Sequence, residues 1–265
     1  MKIIDAHAHI YPEKIAEKAA SALESIIERK LRVIPTADNL LKKMDEAQIS
    51  KSVVACVSTR PEQTVPINNW LFSIKNDRFI PFACLHPFYK GYKEEIKRIK
   101  ENAAGIKMQP EIQNFFIDAK EAFYVFEEMQ KLSIPLLLHC GREYLFKEEE
   151  TVCASPKRLL KVIKEFPNLK IIAAHLGGFA MWRQVIEKLE GEHLYFDSSC
   201  ALSLMGADLR KAFFGKFGFD KIFYGSDYPM AAQKDEIEFI KNLELSEKNK
   251  EKILGANFES FLRQK

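Results

Sequence analysis

The sequence predicts an α/β protein built as a single (β/α)8 barrel over residues 1–265, slightly distorted and completed by C-terminal helices. Three observations carry this. The length of 265 residues suits one barrel of about 250 residues. Short, continuous apolar runs alternate with longer amphipathic stretches, as expected of strands buried on both faces beneath helices. Eight such units favour a closed barrel over an open sheet, and no Gly-x-Gly-x-x-Gly follows any run.

The elements follow in order. Lys2–Ala6 is the first strand, leading to a helix over Pro12–Lys30, with Pro12 near its start where a missing N–H costs little. Thr36 is placed to cap a helix over Ala37–Gln48. Strand Ser52–Val57 is followed by the polar loop Ser58-Thr59-Arg60-Pro61 and a helix over Ile67–Asn76. Strand Phe79–Leu85 ends in His86-Pro87, before a Lys/Glu-rich helix reaching Glu101. Gly105–Met108 is a short fourth strand closed by Pro110, and Ala119–Lys131 is helical.

Strand Ile134–Leu138 delivers His139-Cys140-Gly141-Arg142. A helix capped by Ser155, with Pro156 first, runs to Phe166 and precedes strand Leu169–Ala174, which delivers His175. A helix over Trp182–Leu189 leads to strand His193–Phe196 and then Asp197-Ser198-Ser199. After a helical run over Leu202–Phe214, strand Lys221–Tyr224 delivers Gly225-Ser226-Asp227-Tyr228-Pro229. Helices over Asp235–Leu243 and Glu247–Arg263 end the chain.

Composition narrows the function classes. There are 40 basic and 37 acidic residues, scattered among one another, so the formal charge of +3 leaves no nucleic-acid footprint. No run approaches the ~18 apolar residues that cross a bilayer, and Met1-Lys2 leads into the first strand without an apolar leader. Five cysteines, an odd number without Cys-x-x-Cys spacing, read as reduced thiols of a cytoplasmic protein.

Chemistry concentrates where the strands end. In barrels of this kind functional groups stand at the C-terminal ends of the strands. His7 and His9 follow strand one, His139 strand five, His175 strand six and Asp227 strand eight. Strand alternation puts His7 and His9 on one face, with Asp5 on the same face as a carboxylate able to fix a ring orientation. Strands one and eight are neighbours in a closed barrel, which brings Asp227 to the His pair. A nitrogen-rich basin with a carboxylate suits one divalent metal, zinc first, with manganese, iron or cobalt admitted by the same donors. His193 stands at a strand start and reads as structural; His86 can line the pocket.

These segments resemble a known family. Asp5-Ala6-His7-Ala8-His9, Gly105-Ile106-Lys107-Met108-Gln109-Pro110, Leu138-His139-Cys140-Gly141, Ala174-His175-Leu176-Gly177-Gly178, Tyr224-Gly225-Ser226-Asp227-Tyr228-Pro229 and Ile253-Leu254-Gly255-Ala256-Asn257 are similar to the amidohydrolase superfamily. Within it the chain resembles the amidohydrolase-2 branch, metal-dependent TIM-barrel proteins that include lactonases and aminocarboxymuconate-semialdehyde decarboxylase. The resemblance implies that His7, His9, His139 and Asp227 bind a single metal. It implies that His175 is either a further ligand or the residue that polarises the substrate. Lys107 occupies the position where binuclear relatives carry a carbamylated lysine; the surrounding sequence looks more like the mononuclear branch, with a plain or substrate-facing lysine.

The leading expectation is hydrolysis of an amide, ester or lactone in a small polar metabolite by a metal-activated water. Asp227 would serve as ligand and proton shuttle, and His175 would polarise the carbonyl. The alternative is decarboxylation of a carboxylated aromatic or muconate-like acid on the same residues; a third reading is a non-catalytic metal-binding protein. Arg142 and Arg60 are candidates, with Lys107, for gripping a substrate carboxylate. Phe88, Tyr89, Trp182 and Tyr228 are placed to form an aromatic wall, and Ser198 and Ser199 to orient substrate. No nucleic-acid or membrane partner is expected; a homodimer is admitted.

Overall fold

The structure, a computed structural model, describes residues 1–28, 30–142, 151–191 and 193–264. Eight parallel strands pair in chain order: β1 (Ile3–Asp5), β2 (Ile49–Ala55), β3 (Phe79–Cys84), β4 (Gly105–Met108), β5 (Leu136–Leu138), β6 (Ile171–Ala173), β7 (Leu194–Asp197) and β8 (Ile222–Phe223). The helices are α1 (Glu13–Ile27), α2 (Ala37–Glu46), α3 (Thr64–Ser73), α4 (Tyr92–Asn102), a single turn α5 (Pro110–Gln113), α6 (Lys120–Lys131), α7 (Pro156–Glu165), α8 (Trp182–Lys188), α9 (Ala207–Phe217), α10 (Gln233–Lys241), α11 (Glu247–Glu251) and α12 (Asn257–Arg263). This is the expected (β/α)8 barrel. The caps are as read: Thr36 accepts from Asn39 N at 3.2 Å and Ser155 from Arg158 N at 3.4 Å.

Boundaries move by a few residues. The first helix stops at Ile27, where Glu28 turns into the left-handed region; Arg29 lies outside the described residues. The helix expected from Leu202 begins at Ala207 and runs on to Phe217. Five-residue hydrogen-bonded spacing at Lys252–Ala256 separates α11 from α12, so the last expected helix is interrupted.

Alternation along each strand divides the core in two. One set, including Ile4, Ala6, Val53, Ala55, Phe82, Leu137, Ile172, Tyr195 and Phe223, lines the barrel, and Phe258 and Phe261 of α12 pack into it. The complementary set, including Ile3, Val54, Ala83, Ile106, Leu136, Leu138, Ile171 and Phe196, packs against the helices. The barrel is nearly closed. Between its first and last strands, Ala6 N donates to Tyr224 O at 2.8 Å and His9 N to Tyr228 O at 2.7 Å.

The interrupted C-terminal helix explains the rest of that seam. Tyr224 N donates to Ile253 O at 2.8 Å, so the wide turn sits against β8 while its other side meets β1. At Gly255 a Cβ would stand 2.1 Å from the Lys2 carbonyl oxygen, which only displacement of backbone relieves. Gly255→Ala is therefore expected to cost about 3 kcal/mol, lowering the thermal midpoint by roughly 6–12 °C for a domain of this size. Circular dichroism melting checks this, and an unchanged midpoint would contradict it.

Candidate metal centre

The C-terminal ends of the strands form a basin lined by imidazoles. His7 is fully buried and His9 partly exposed. Their Nε2 atoms stand 3.1 Å apart, and Asp227 Oδ1 lies 3.4 Å from His7 Nε2 and 3.3 Å from His9 Nε2. One ligand atom from each of these three residues falls within 4.8 Å of the others. His139 is not in that group; its Nδ1 lies 3.1 Å from His175 Nε2, and the ring centroids of His7 and His175 are 5.5 Å apart. The structure thus gathers all five residues at one rim, three of them around a common point.

The far nitrogens of the imidazoles test whether a cation fits. His9 Nδ1 lies 2.8 Å from Ala55 O, and His175 Nδ1 2.9 Å from Ser199 O. A carbonyl oxygen only accepts, so each Nδ1 carries the proton and each Nε2 keeps its lone pair. His7 Nδ1 is 3.0 Å from Asp197 Oδ2, with the same consequence. Neutral nitrogen lone pairs and one carboxylate converging on a point are the donor set of a divalent ion. The residues fit the group.

Electrostatics keep them in that state. Burial drives His7 down to about 4, with the Lys107 ammonium adding and Asp197 opposing. Burial alone would raise Asp227; its interactions with His7, His9 and His175 outweigh it and hold it well below the carboxylate range. His139 is held well below the ordinary histidine value, first by burial and then by His175 and Lys107.

Backbone geometry aims these groups. His175, Cys200 and Asp227 adopt φ of 56°, 48° and 56°, a left-handed conformation costing a non-glycine residue about 1 kcal/mol or more. Asp227 is held there by its N–H, which donates to His7 O at 2.8 Å. Trp182 Nε1 donates to His175 O at 2.9 Å, fixing the next loop from behind. At Gly141, with φ of 93°, a Cβ would meet Phe179 N at 2.1 Å, so a side chain there would part the His139 loop from the one after His175.

Two expectations need correction. Asp5 does not orient an imidazole. It accepts from His7 N (3.1 Å), Ser226 N (3.0 Å), Ser226 Oγ (2.6 Å) and Gln233 Nε2 (2.7 Å), tying the end of β1 to the loop after β8. Ile3 packs on the helix side and Ile4 and Ala6 line the barrel, so strict alternation would carry Asp5 and His7 outward together. The strand stops at Asp5, the chain bends at Ala6, and His7 turns into the basin. The ring-orienting carboxylate is Asp197, which the sequence reading passed over. The signal was present: an acid at the C-terminal end of β7, the end of the barrel at which every other site residue stands.

The remaining candidates divide between the cluster and the surface. Lys107 is fully buried, and its Nζ lies 3.1 Å from His7 Nε2. Arg60 is exposed in the loop after β2, and its Nε lies 3.1 Å from Glu62 Oε1. Arg142 directly follows the Gly141 turn, its N–H donating to Phe179 O at 3.1 Å; residues 143–150 lie outside the described residues. Ser199 touches the cluster, with Oγ 3.1 Å from both His7 Nδ1 and His175 Nδ1. Tyr228 is buried, whereas Phe88 is largely exposed. All five cysteines are free thiols.

A parallel barrel with a histidine–aspartate cluster at its C-terminal rim defines a class of metal-dependent enzymes. The family model Amidohydro_2, described as amidohydrolase, matches residues 4–263, and the chain belongs to that family. No curated protein matches it. Among solved structures it is similar to 2,6-dihydroxybenzoate decarboxylase from Rhizobium, at 18% identity and TM-score 0.71, covering 99% of this chain and 98% of that one. It is also similar to 5-carboxyvanillate decarboxylase from Novosphingobium aromaticivorans, complexed with manganese and 4-hydroxy-3-methoxy-5-nitrobenzoic acid, at 16% identity and TM-score 0.72 over 98% and 96%. A third is a probable 2-pyrone-4,6-dicarboxylic acid hydrolase from Acinetobacter baumannii with citric acid bound, at 16% identity and TM-score 0.68 over 99% of both chains. At these identities the likeness is one of fold. Among the described residues no helix is long and apolar enough to cross a membrane.

Proposed function

We propose that this protein is a metal-dependent decarboxylase, a carbon–carbon lyase acting on a small carboxylated aromatic acid. The observation that carries the reading is the convergence of His7, His9 and Asp227, with Lys107 beside them, in one buried basin. Such a basin offers cationic and metal contacts to a substrate carboxylate. The decarboxylases among the structural neighbours support it, and they rank it above hydrolysis of an ester, amide or lactone, the first expectation from the sequence.

His7, His9 and Asp227 would hold the metal, with His139 completing the set. Manganese leads, because a neighbour carries it; zinc is the other candidate. When bound, a divalent ion supplies positive charge to hold the carboxylate and a neighbouring oxygen of the substrate. The protein's own residues do the rest. Asp197 and Ala55 O fix the rings of His7 and His9, so their geometry is set before substrate arrives. Lys107 adds attraction for an acid. In the reaction R–COO⁻ and one proton become R–H and carbon dioxide: the bond to the carboxyl carbon breaks, and its electron pair takes the proton at the ring carbon. Asp227 and His175 face the basin and are the acid–base pair through which that proton enters.

The test is carbon dioxide release from hydroxylated benzoates and muconate-like acids by protein reconstituted with Mn²⁺ or Zn²⁺, beside a panel of lactones and esters. Release that is lost on chelation and restored by metal is expected. Hydrolysis of the lactone panel without carbon dioxide release would overturn the lyase reading.

A further inference from the structure

Lys107 stands on β4 in register with Leu137 of β5. Leu137 lines the barrel, while Ile106 and Met108, the neighbours of Lys107, pack toward the helices. Lys107 is fully buried and points inward, with its Nζ 3.1 Å from His7 Nε2.

The character of that nitrogen is fixed by its surroundings. His7 Nδ1 faces Asp197 Oδ2 at 3.0 Å and carries the proton, so Nε2 offers one lone pair. Two further acceptors crowd it. His9 Nε2 lies 3.1 Å away, with the proton of its ring on the Nδ1 that meets Ala55 O, and Asp227 Oδ1 lies 3.4 Å away. Neither can donate to His7. The ammonium of Lys107 can, because it has N–H donors and no acceptor. Lys107 therefore uses the lone pair that His7 would give to an ion.

One lone pair serves one partner. An ion on His7 Nε2 must take it from Lys107, and the ammonium then lies beside a second positive charge. Like charges held close together in a protein interior repel strongly. The lysine charge already acts on the imidazoles, opposing protonation of both His7 and His139. A divalent ion at the same nitrogens meets the same field.

We propose that Lys107 competes with the metal for His7 Nε2, weakening the hold of the centre on its ion, and that the ion, once in place, frees the ammonium for the substrate carboxylate. The first half rests on His7 being a ligand of the proposed centre; the second rests also on the acid substrate proposed above. By linkage, an acid that takes up the ammonium tightens the ion, and the ion tightens the acid to the same degree.

The experiment measures Zn²⁺ affinity of the full-length protein by competition with a chromophoric chelator, in the parent and in Lys107→Met. The variant, uncharged and of similar length, is expected to bind Zn²⁺ about 10-fold more tightly or better. Its thermal midpoint is expected to rise further on adding Zn²⁺ than that of the parent. Lys107→Gln carries the same expectation and takes its place if the methionine variant does not fold. Affinity equal to that of the parent would overturn the inference and leave the metal centre standing. Weaker binding, the result expected of a lysine that ligates the ion itself or through its carbamate, would overturn it as well. Absence of Zn²⁺ binding in both proteins would remove the centre and the inference together. Saturating benzoate, a carboxylate probe, is expected to tighten Zn²⁺ more in the parent than in Lys107→Met; equal tightening would overturn the link to the acid. None of these readouts involves turnover, so the decarboxylase reading fails separately, by the absence of carbon dioxide release.

Discussion

Asp227→Asn is expected to lower kcat for carbon dioxide release by about 10³-fold, within the span attributed to positioned acid–base groups, while the protein stays folded. The amide keeps the shape of the side chain and the backbone bond to His7 O. It removes the anionic oxygen that stands 3.4 and 3.3 Å from the two Nε2 atoms, and with it the group proposed to carry the proton. Steady-state assays at saturating metal, with metal content measured alongside, separate lost chemistry from lost ion. A variant that turns over like the parent at equal metal content would remove Asp227 from the mechanism.

The second large effect concerns a residue that touches neither metal nor substrate. Asp197→Asn is expected to weaken metal binding by about 10- to 100-fold, the range seen when the orienting partner of a ligand is lost. Asp197 Oδ2 lies 3.0 Å from His7 Nδ1, while Oδ1 accepts from Ser199 N at 3.0 Å and His175 N at 3.3 Å. With Oδ1 still accepting from Ser199, an asparagine would turn its NH₂ toward His7. His7 would then have to place its proton on Nε2, the nitrogen proposed to bind the metal. Competition with a chelator gives the affinity, and long-range ¹⁵N spectra report the tautomer. Unchanged affinity with an unchanged tautomer would contradict the assignment.

Asp197 also carries a pH signature. Burial would raise its pKa, but His7 and His175, with the Ser199 hydroxyl, outweigh that and hold it at about 2. A carboxyl held below its unfolded value adds stability that is complete above pH 4 and lost as pH falls toward 2. The difference in unfolding free energy between parent and Asp197→Asn is therefore expected to narrow across that interval.

Much of this was legible in the chain. His7, His9, His139, His175 and Asp227 each follow an apolar run, and the rule that barrels work at their strand ends was enough to bring them together. Asp197 obeyed the same rule, but an acid before two serines also reads as a turn, and nothing local says which histidine it will face. Arg60 shows the reverse error. Its loop is on the expected rim, yet its side chain is exposed beside Glu62, because a long side chain on a loop is placed by neighbours distant in sequence.

The sequence by itself determined the eight β–α units, the two faces of each strand and the side of the barrel on which chemistry collects. These follow from periodicity, which is written residue by residue. Only the tertiary structure decided that His7 turns inward at the end of β1, that the wide turn at Lys252–Ala256 fills the seam beside β8, and that Asp197 faces His7. Those outcomes depend on how segments far apart in the chain pack against each other, as when Asp5 meets Ser226 and Gln233, and no local pattern encodes a distance between them.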